Sequence, residues 1–137
     1  EIFSSIKFSE AVLTKRMREL AFLNKGIKIV FTDASNKKEK KYEFKFEGGV
    51  LEYVDFLDEK REKLQNKNGN DLFKRPIYIE GKKNDIEIEC SLKWNAGYTE
   101  DIFSYTNNIY DFLTYNANNF VINYCFLVNI KCGINNS

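Results

Sequence analysis

Arg16 and Arg18 stand two positions apart in the run Arg16-Met17-Arg18-Glu19-Leu20-Ala21-Phe22-Leu23-Asn24-Lys25-Gly26, cations of the type that could ease phosphate groups past a protein surface. A solvated helix face laced with salt bridges is the plainer reading of the same pair. Glu87 and Glu89 also stand two apart, yet nothing places them against a nucleophile or a metal. Gly48-Gly49 lacks the Lys and Ser/Thr of a phosphate-cradling loop and the spaced glycines of a dinucleotide fingerprint, so it reads as a backbone turn. Cys90, Cys125 and Cys132 are odd in number and contain no Cys-x-x-Cys, which suggests neither a disulfide framework nor a zinc knuckle; a reducing cytoplasm is the simpler setting. The chain has no histidine, which excludes ordinary His-based catalysis. No catalytic, cofactor-binding or metal-ligating residue is assigned from the sequence.

These residues have to be carried by a small fold. The 137 residues fit one domain, and 43% hydrophobic with 15% aromatic content supplies a packed core. Twenty-one basic against 20 acidic residues leave a net charge of +1, without the basic excess of a stand-alone nucleic-acid module, so any contact with DNA has to be local or shared. Glu1 to Ser5 carries no signal-peptide pattern, and the chain reads as a piece of a longer protein. There is no run of 18 apolar residues, so no membrane span is expected.

Residues 2 to 7 read as an extended lead-in with Phe3 and Phe8 as apolar anchors. Ser9 is a suitable N-cap for a helix running to about Asn24, in which Leu13, Met17, Leu20 and Ala21 share one stripe. Asn24-Lys25-Gly26 stops that helix, with Lys25 near its carbonyl end. Glu19 and Asn24 are read as local hydrogen-bonding and capping residues. Two strands follow, 27 to 32 and 41 to 46, joined as a hairpin by a polar loop. After Gly48-Gly49, the residues Val50, Tyr53, Val54, Leu57 and Leu64 predict a second amphipathic helix to residue 63 or 64, with Asp58 to Lys63 as its solvated side. Residues 65 to 71 are a loop. Pro76 precedes a strand over 77 to 80, and 81 to 85 turns the chain. Ile86, Ile88, Cys90, Leu92 and Trp94 alternate with Glu87, Glu89, Ser91 and Lys93, which predicts an apolar core face and a wet face. Cys90 and Trp94 fall on the core face, and Asn95 begins the next turn. A strand over 102 to 107 is expected to pair back on this one. From Asn107 to Ser137 there are nine asparagines and one glycine, without a sustained period. Residues 120 to 130 fit a buried strand pair or a helix, interrupted by Asn123 and Asn129.

Four stretches carry a resemblance. Arg16 to Gly26 resembles the opening helix of the second domain of the bacterial DNA gyrase B protein and its type IIA topoisomerase relatives. Phe46-Glu47-Gly48-Gly49 is similar to that family's Gly-Gly turn into a helix, Lys93-Trp94-Asn95 to its Trp-Asn strand end, and Phe103 to Ile109 to its Thr-Asn-Asn-Ile strand. The match covers residues 1–109 as an incomplete transducer-like domain and leaves 110–137 as an unmatched Asn-rich tail. The family's Gly-Gly-Thr-His continuation and its Gln-Thr-Lys loop are not found, so no lysine takes the phosphate-sensing role.

The resemblance implies an α+β, ribosomal protein S5 domain 2-like transducer: a mixed sheet with two amphipathic helices, truncated at its C-terminal end. It implies a fragment of the ATPase subunit of a type IIA topoisomerase, coupling ATP binding and hydrolysis to DNA strand passage and supercoiling. ATP and Mg2+ would serve the intact parent and not this fragment, which is then non-catalytic. Arg16 and Arg18 become contacts to DNA in the cavity of the enzyme. Partners would be DNA, the gyrase A protein and a second gyrase B protein in a heterotetramer, in a bacterial cytoplasm, with an organelle of bacterial origin held in reserve on the AT-rich composition. The alternatives are the B protein of topoisomerase IV, a nucleic-acid-binding S5-like module, or a truncated remnant.

Overall fold

The structure is a computed structural model that describes residues 9–34, 37–97, 101–111 and 124–132. The expected lead-in with Phe3 and Phe8, Asn123 and the stretch 112–123 lie outside the described residues. The chain divides into two compact units that meet at Gly49 and Val50.

The first unit holds helix α1 (Glu10–Leu23) and a hairpin of β1 (Ile29–Asp33) and β2 (Lys40–Phe44). Ser9 occupies the N-cap, but its backbone carbonyl, not its side chain, is engaged, accepting from the Leu13 amide at 3.1 Å. The stop signal works through Asn24, whose amide and Nδ2 both donate to the Leu20 carbonyl, at 3.2 and 2.9 Å. Gly26 then takes φ +82°, a conformation that costs a side chain about 1 kcal/mol or more, and its amide donates to the Phe46 carbonyl at 2.9 Å. The predicted stripe is only partly the buried surface. Leu13, Met17 and Leu20 are half-buried, while Ala21, Phe22 and Leu23 are buried together where the chain reverses. Phe22 stacks on Phe46 with ring centroids 3.6 Å apart. The hairpin is antiparallel as expected, with Phe31 opposite Tyr42.

The second unit packs α2 (Gly49–Asp58) with a five-stranded mixed sheet. Its strands are β3 (Ile77–Lys83), β4 (Ile86–Trp94), β5 (Asp101–Thr106), β6 (Ile109–Asp111) and β7 (Tyr124–Cys132). The order across the sheet is β3-β4-β7-β5-β6. Val50, Tyr53, Val54, Tyr105 and Leu127 form its buried apolar residues. Two asparagines, Asn107 and Asn108, take φ +48° and +67° and close β5 onto β6. Asparagine tolerates the left-handed region that such a two-residue turn demands.

Four expectations are corrected here. Helix α2 stops at Asp58 and does not reach Leu64, because the Asp58 carbonyl is taken by the Arg61 amide at 3.0 Å and by Lys63 Nζ at 2.8 Å. Strand β5 does not pair with β4: β7 lies between them, antiparallel to β4 from Ile86 opposite Cys132 to Trp94 opposite Tyr124, and parallel to β5. A partner of equal length stands opposite all nine β4 residues, whereas β5 has only six. Of the segment expected as a strand pair or helix over 120 to 130, the described part, from Tyr124, is thus in one strand, placed centrally although it follows residue 109. The alternation of β4 is also inverted in burial. Ile86 and Ile88 are 47% and 41% exposed, whereas Ser91 and Lys93 on the supposedly wet face are buried. Cys90 and Trp94 are intermediate, Trp94 lying against Phe73 with centroids 5.0 Å apart.

Candidate functional site

Asp58 explains the inversion. It continues the buried line of α2, since Val50, Val54 and Asp58 recur at i, i+4 and i+8 and all are at most 1% exposed. A carboxylate at that depth requires partners, because an unpaired buried charge is far more costly than an unpaired surface one. Lys63 Nζ donates to Asp58 Oδ2 at 2.8 Å, and Asn95 Nδ2 donates to Oδ1 at 3.0 Å. Lys93 Nζ lies 3.5 Å from Asp58 Oδ2 and donates to Asp55 Oδ1 at 2.6 Å. The Ala96 amide donates to the Glu62 carbonyl at 2.8 Å, and Arg61 pairs with Asp101.

The result is a charge network that ties the last turn of α2 and the chain just after it to the end of β4 and the start of β5. Asn95 is itself fixed, because its Oδ1 accepts from the Gly97 amide at 3.0 Å. Burial works against the charge on Lys93, but its hydrogen bond to Asp55 and the fields of Asp55 and Asp58 outweigh it and hold the ammonium above its ordinary value. A lysine nucleophile or base needs the opposite shift. The cluster fixes one register between helix and sheet.

Sequence reasoning misses this cluster, assigning Asp58 and Lys63 to a solvated face and Lys93 to a wet strand face. One signal points to it, the interruption of an apolar i, i+4 line by Asp58. Arg16 and Arg18 lie in the first unit and do not contribute to it. Arg16 pairs with Glu19 one turn on, and the Arg18 guanidinium sits 5.5 Å from the centre of the Phe44 ring. Glu87 pairs with Lys82 at 2.5 Å, and Glu89 accepts from the Tyr78 hydroxyl at 2.8 Å.

Among the described residues no three His, Cys, Asp or Glu side chains converge to hold a cation such as Mg2+. Gly49, at φ +60°, has the Lys25 side chain within 3.1 Å of where a Cβ would sit, so this glycine marks a tight turn packed on a side chain and not an open cradle. No helix among the described residues is long and apolar enough to cross a membrane.

A family model described as DNA gyrase B matches residues 49–111. The DNA gyrase B protein of Chlamydia muridarum is 46% identical over 112 residues, which is 79% of this chain and 13% of that protein. Its counterpart in Chlamydia pneumoniae is 44% identical over 113 residues, 80% of this chain and 13% of its own length. This chain thus spans about an eighth of each relative. Among solved structures, the DNA gyrase B protein from Myxococcus xanthus superposes with a TM-score of 0.74 at 18% identity, covering 96% of this chain and 42% of that one. At that identity the superposition establishes the α+β fold and nothing more.

Proposed function

Because this chain belongs, over the four-fifths of it that aligns, to the DNA gyrase B family, we propose that it is a coupling segment of an ATP-dependent type IIA DNA topoisomerase. In this reading it carries mechanical and not catalytic duty, passing nucleotide-driven closure on to the parts of the enzyme that cut and gate DNA. The observation that carries it is the buried network at Asp58, Lys93 and Asn95, which locks a helix end to a strand end. ATP with Mg2+ would serve the intact parent enzyme and not this fragment. The partners are DNA, a gyrase A protein and a second gyrase B protein in a heterotetramer, and the setting is a bacterial cytoplasm. Residues 1–109 are the part read as gyrase-like and 110–137 as a departure from it. Arg16 and Arg18 would add positive charge along the path of the passed DNA; Arg16→Ala with Arg18→Ala should lower supercoiling in the intact enzyme if they do.

The test of coupling is the number of supercoils introduced per ATP hydrolysed by the intact enzyme carrying Asp58→Asn, which keeps the side-chain volume and removes the charge. ATP hydrolysis should persist while supercoils per ATP fall severalfold. An unchanged ratio, with the network broken, would refute the reading.

A further inference from the structure

The segment 59–75, joining α2 to β3, holds six cationic side chains (Lys60, Arg61, Lys63, Lys67, Lys74, Arg75) and three acidic ones (Glu59, Glu62, Asp71). It therefore carries +3 in a chain of net charge +1, leaving the remainder at −2. Arg61 and Lys63 are committed to Asp101 and Asp58. Lys60, Lys67, Lys74 and Arg75 are exposed and have no ion-pair partner among the described residues. Elsewhere on the second unit, Lys82 and Lys93 are paired with carboxylates, while Lys83 is exposed without an ion-pair partner among the described residues.

The loop that presents these charges is built, not slack. The Leu72 amide donates to the Leu64 carbonyl at 2.8 Å, and Gln65 and Asp71 form a bridge closing the loop. Inside it, Asn66 Oδ1 accepts from the amides of Asn68 and Asn70, at 2.9 and 3.0 Å, with Gly69 at φ +77° making the turn. Phe73, against Trp94, anchors the exit. Chain reach through the bridge keeps Lys67 within roughly 23 Å of Lys74, a span that covers several successive phosphates of a duplex strand. Cations held on such a loop lose little freedom on binding. The segment's one aromatic ring, Phe73, is occupied by Trp94, so unpaired bases find no stacking platform there.

We infer that the loop is a sequence-independent contact for the phosphate backbone of duplex DNA, made by Lys67, Lys74 and Arg75. Arg16 and Arg18 belong to the first unit and are not among these residues. In choosing DNA among polyanions the inference rests on the topoisomerase reading; the placement of the contact rests on the charges alone.

The test is a nuclear magnetic resonance titration of the isotope-labelled 137-residue chain with a short random-sequence duplex, with anionic phosphatidylglycerol vesicles as a parallel arm. Amide shifts should concentrate at Asn66 to Asp71 and at Lys74 and Arg75. Three phosphate contacts give a salt slope near −2.7, so affinity should fall about 40-fold between about 50 and 200 mM salt. Lys67→Ala, Lys74→Ala and Arg75→Ala together should abolish this salt-dependent binding while the spectrum stays dispersed, and Arg16→Ala with Arg18→Ala should leave the loop shifts unchanged. Wild-type affinity and slope in the triple variant, shifts confined to other surfaces, or equally tight binding to the vesicles would each overturn it. Failure of the coupling reading is seen separately, in supercoils per ATP of the Asp58 variant, a ratio these loop lysines do not enter.

Discussion

Replacing Asp58 with alanine should be among the most damaging single changes available in the second unit. The side chain is fully buried and holds three partners: Lys63, Asn95 and Lys93. Truncation leaves the Asn95 amide nitrogen without its acceptor in a residue 3% exposed, and Lys93, 5% exposed, with Asp55 alone. Removing one member of a buried ion pair costs about 3–5 kcal/mol, and an orphaned buried donor adds roughly 1–3 kcal/mol. Lys63 is partly exposed and recovers water, which offsets some of this, so about 4 kcal/mol is expected. Lys93→Met should cost less, roughly 2 kcal/mol, because Asp58 keeps Lys63 and Asn95. Asp55→Ala should cost least, since Asp55 is the most solvent-exposed of the three. Combining Asp58→Leu with Lys93→Met should cost less than the two separately by about 1 kcal/mol or more, the signature of a direct pair. Urea unfolding followed by the fluorescence of Trp94, the only tryptophan and a chain neighbour of both Lys93 and Asn95, reads this unit directly. A cost below about 1 kcal/mol for Asp58→Ala, the level of an exposed ion pair, would refute the burial and pairing on which the coupling argument stands.

Three further outcomes follow from the same geometry. Lys93 is held above its ordinary value of 10.5, and Tyr78 is raised above 10.0 by burial and by Glu89 and Glu80. In both cases the folded state keeps its proton longer than the unfolded chain, so their stabilisation is complete below those values and lost as pH climbs through the raised ones. Urea midpoints should decline above about pH 10, and less steeply in Lys93→Met; a flat profile through about pH 11 would contradict this. Gly49→Ala should lose about 1–2 kcal/mol of thermal stability from its positive φ, beyond the small crowding against Lys25. Asn108→Gly, at φ +67°, should be neutral or stabilising, whereas Asn108→Ala should cost about 1 kcal/mol, both measurable by thermal unfolding.

Both helices, the β1-β2 hairpin and the starts of β3 and β4 are legible from local rules, because each is fixed by periods and stop signals within a few residues; of the turn expected over 81 to 85 only Asn84-Asp85 turns, since Gly81 to Lys83 continue β3. Asn24 and Gly26 end α1 by bonds to Leu20 and Phe46 that their residue types favour, whereas the strand expected over 102 to 107 stops at Thr106, where Asn107-Asn108 turns the chain. What is not legible is long-range. Nothing in Ile102 to Thr106 says whether its neighbour is β4 or a strand further along the chain, since both offer extended backbone. The same limit hides the end of α2. Asp58 to Lys63 alternates sign as an exposed helix does, and only the presence of Lys93 and Asn95, 35 or more residues away, turns Asp58 into a buried anchor.

The inversion of β4 bears on what the second unit can transmit. Had α2 met the sheet through isoleucines, the contact would be non-directional, since apolar burial depends on area and tolerates small slides. The isoleucines at 86 and 88 instead face solvent among the described residues, and the helix end meets the sheet through Asp58, Asp55, Lys93 and Asn95. Hydrogen bonds of 2.6 to 3.0 Å admit one register, because a displacement of even one ångström takes them outside bonding range. That is the mechanical property required of a segment that must pass a displacement on rather than absorb it, and neutralising Asp58 removes it without removing the apolar residues beneath.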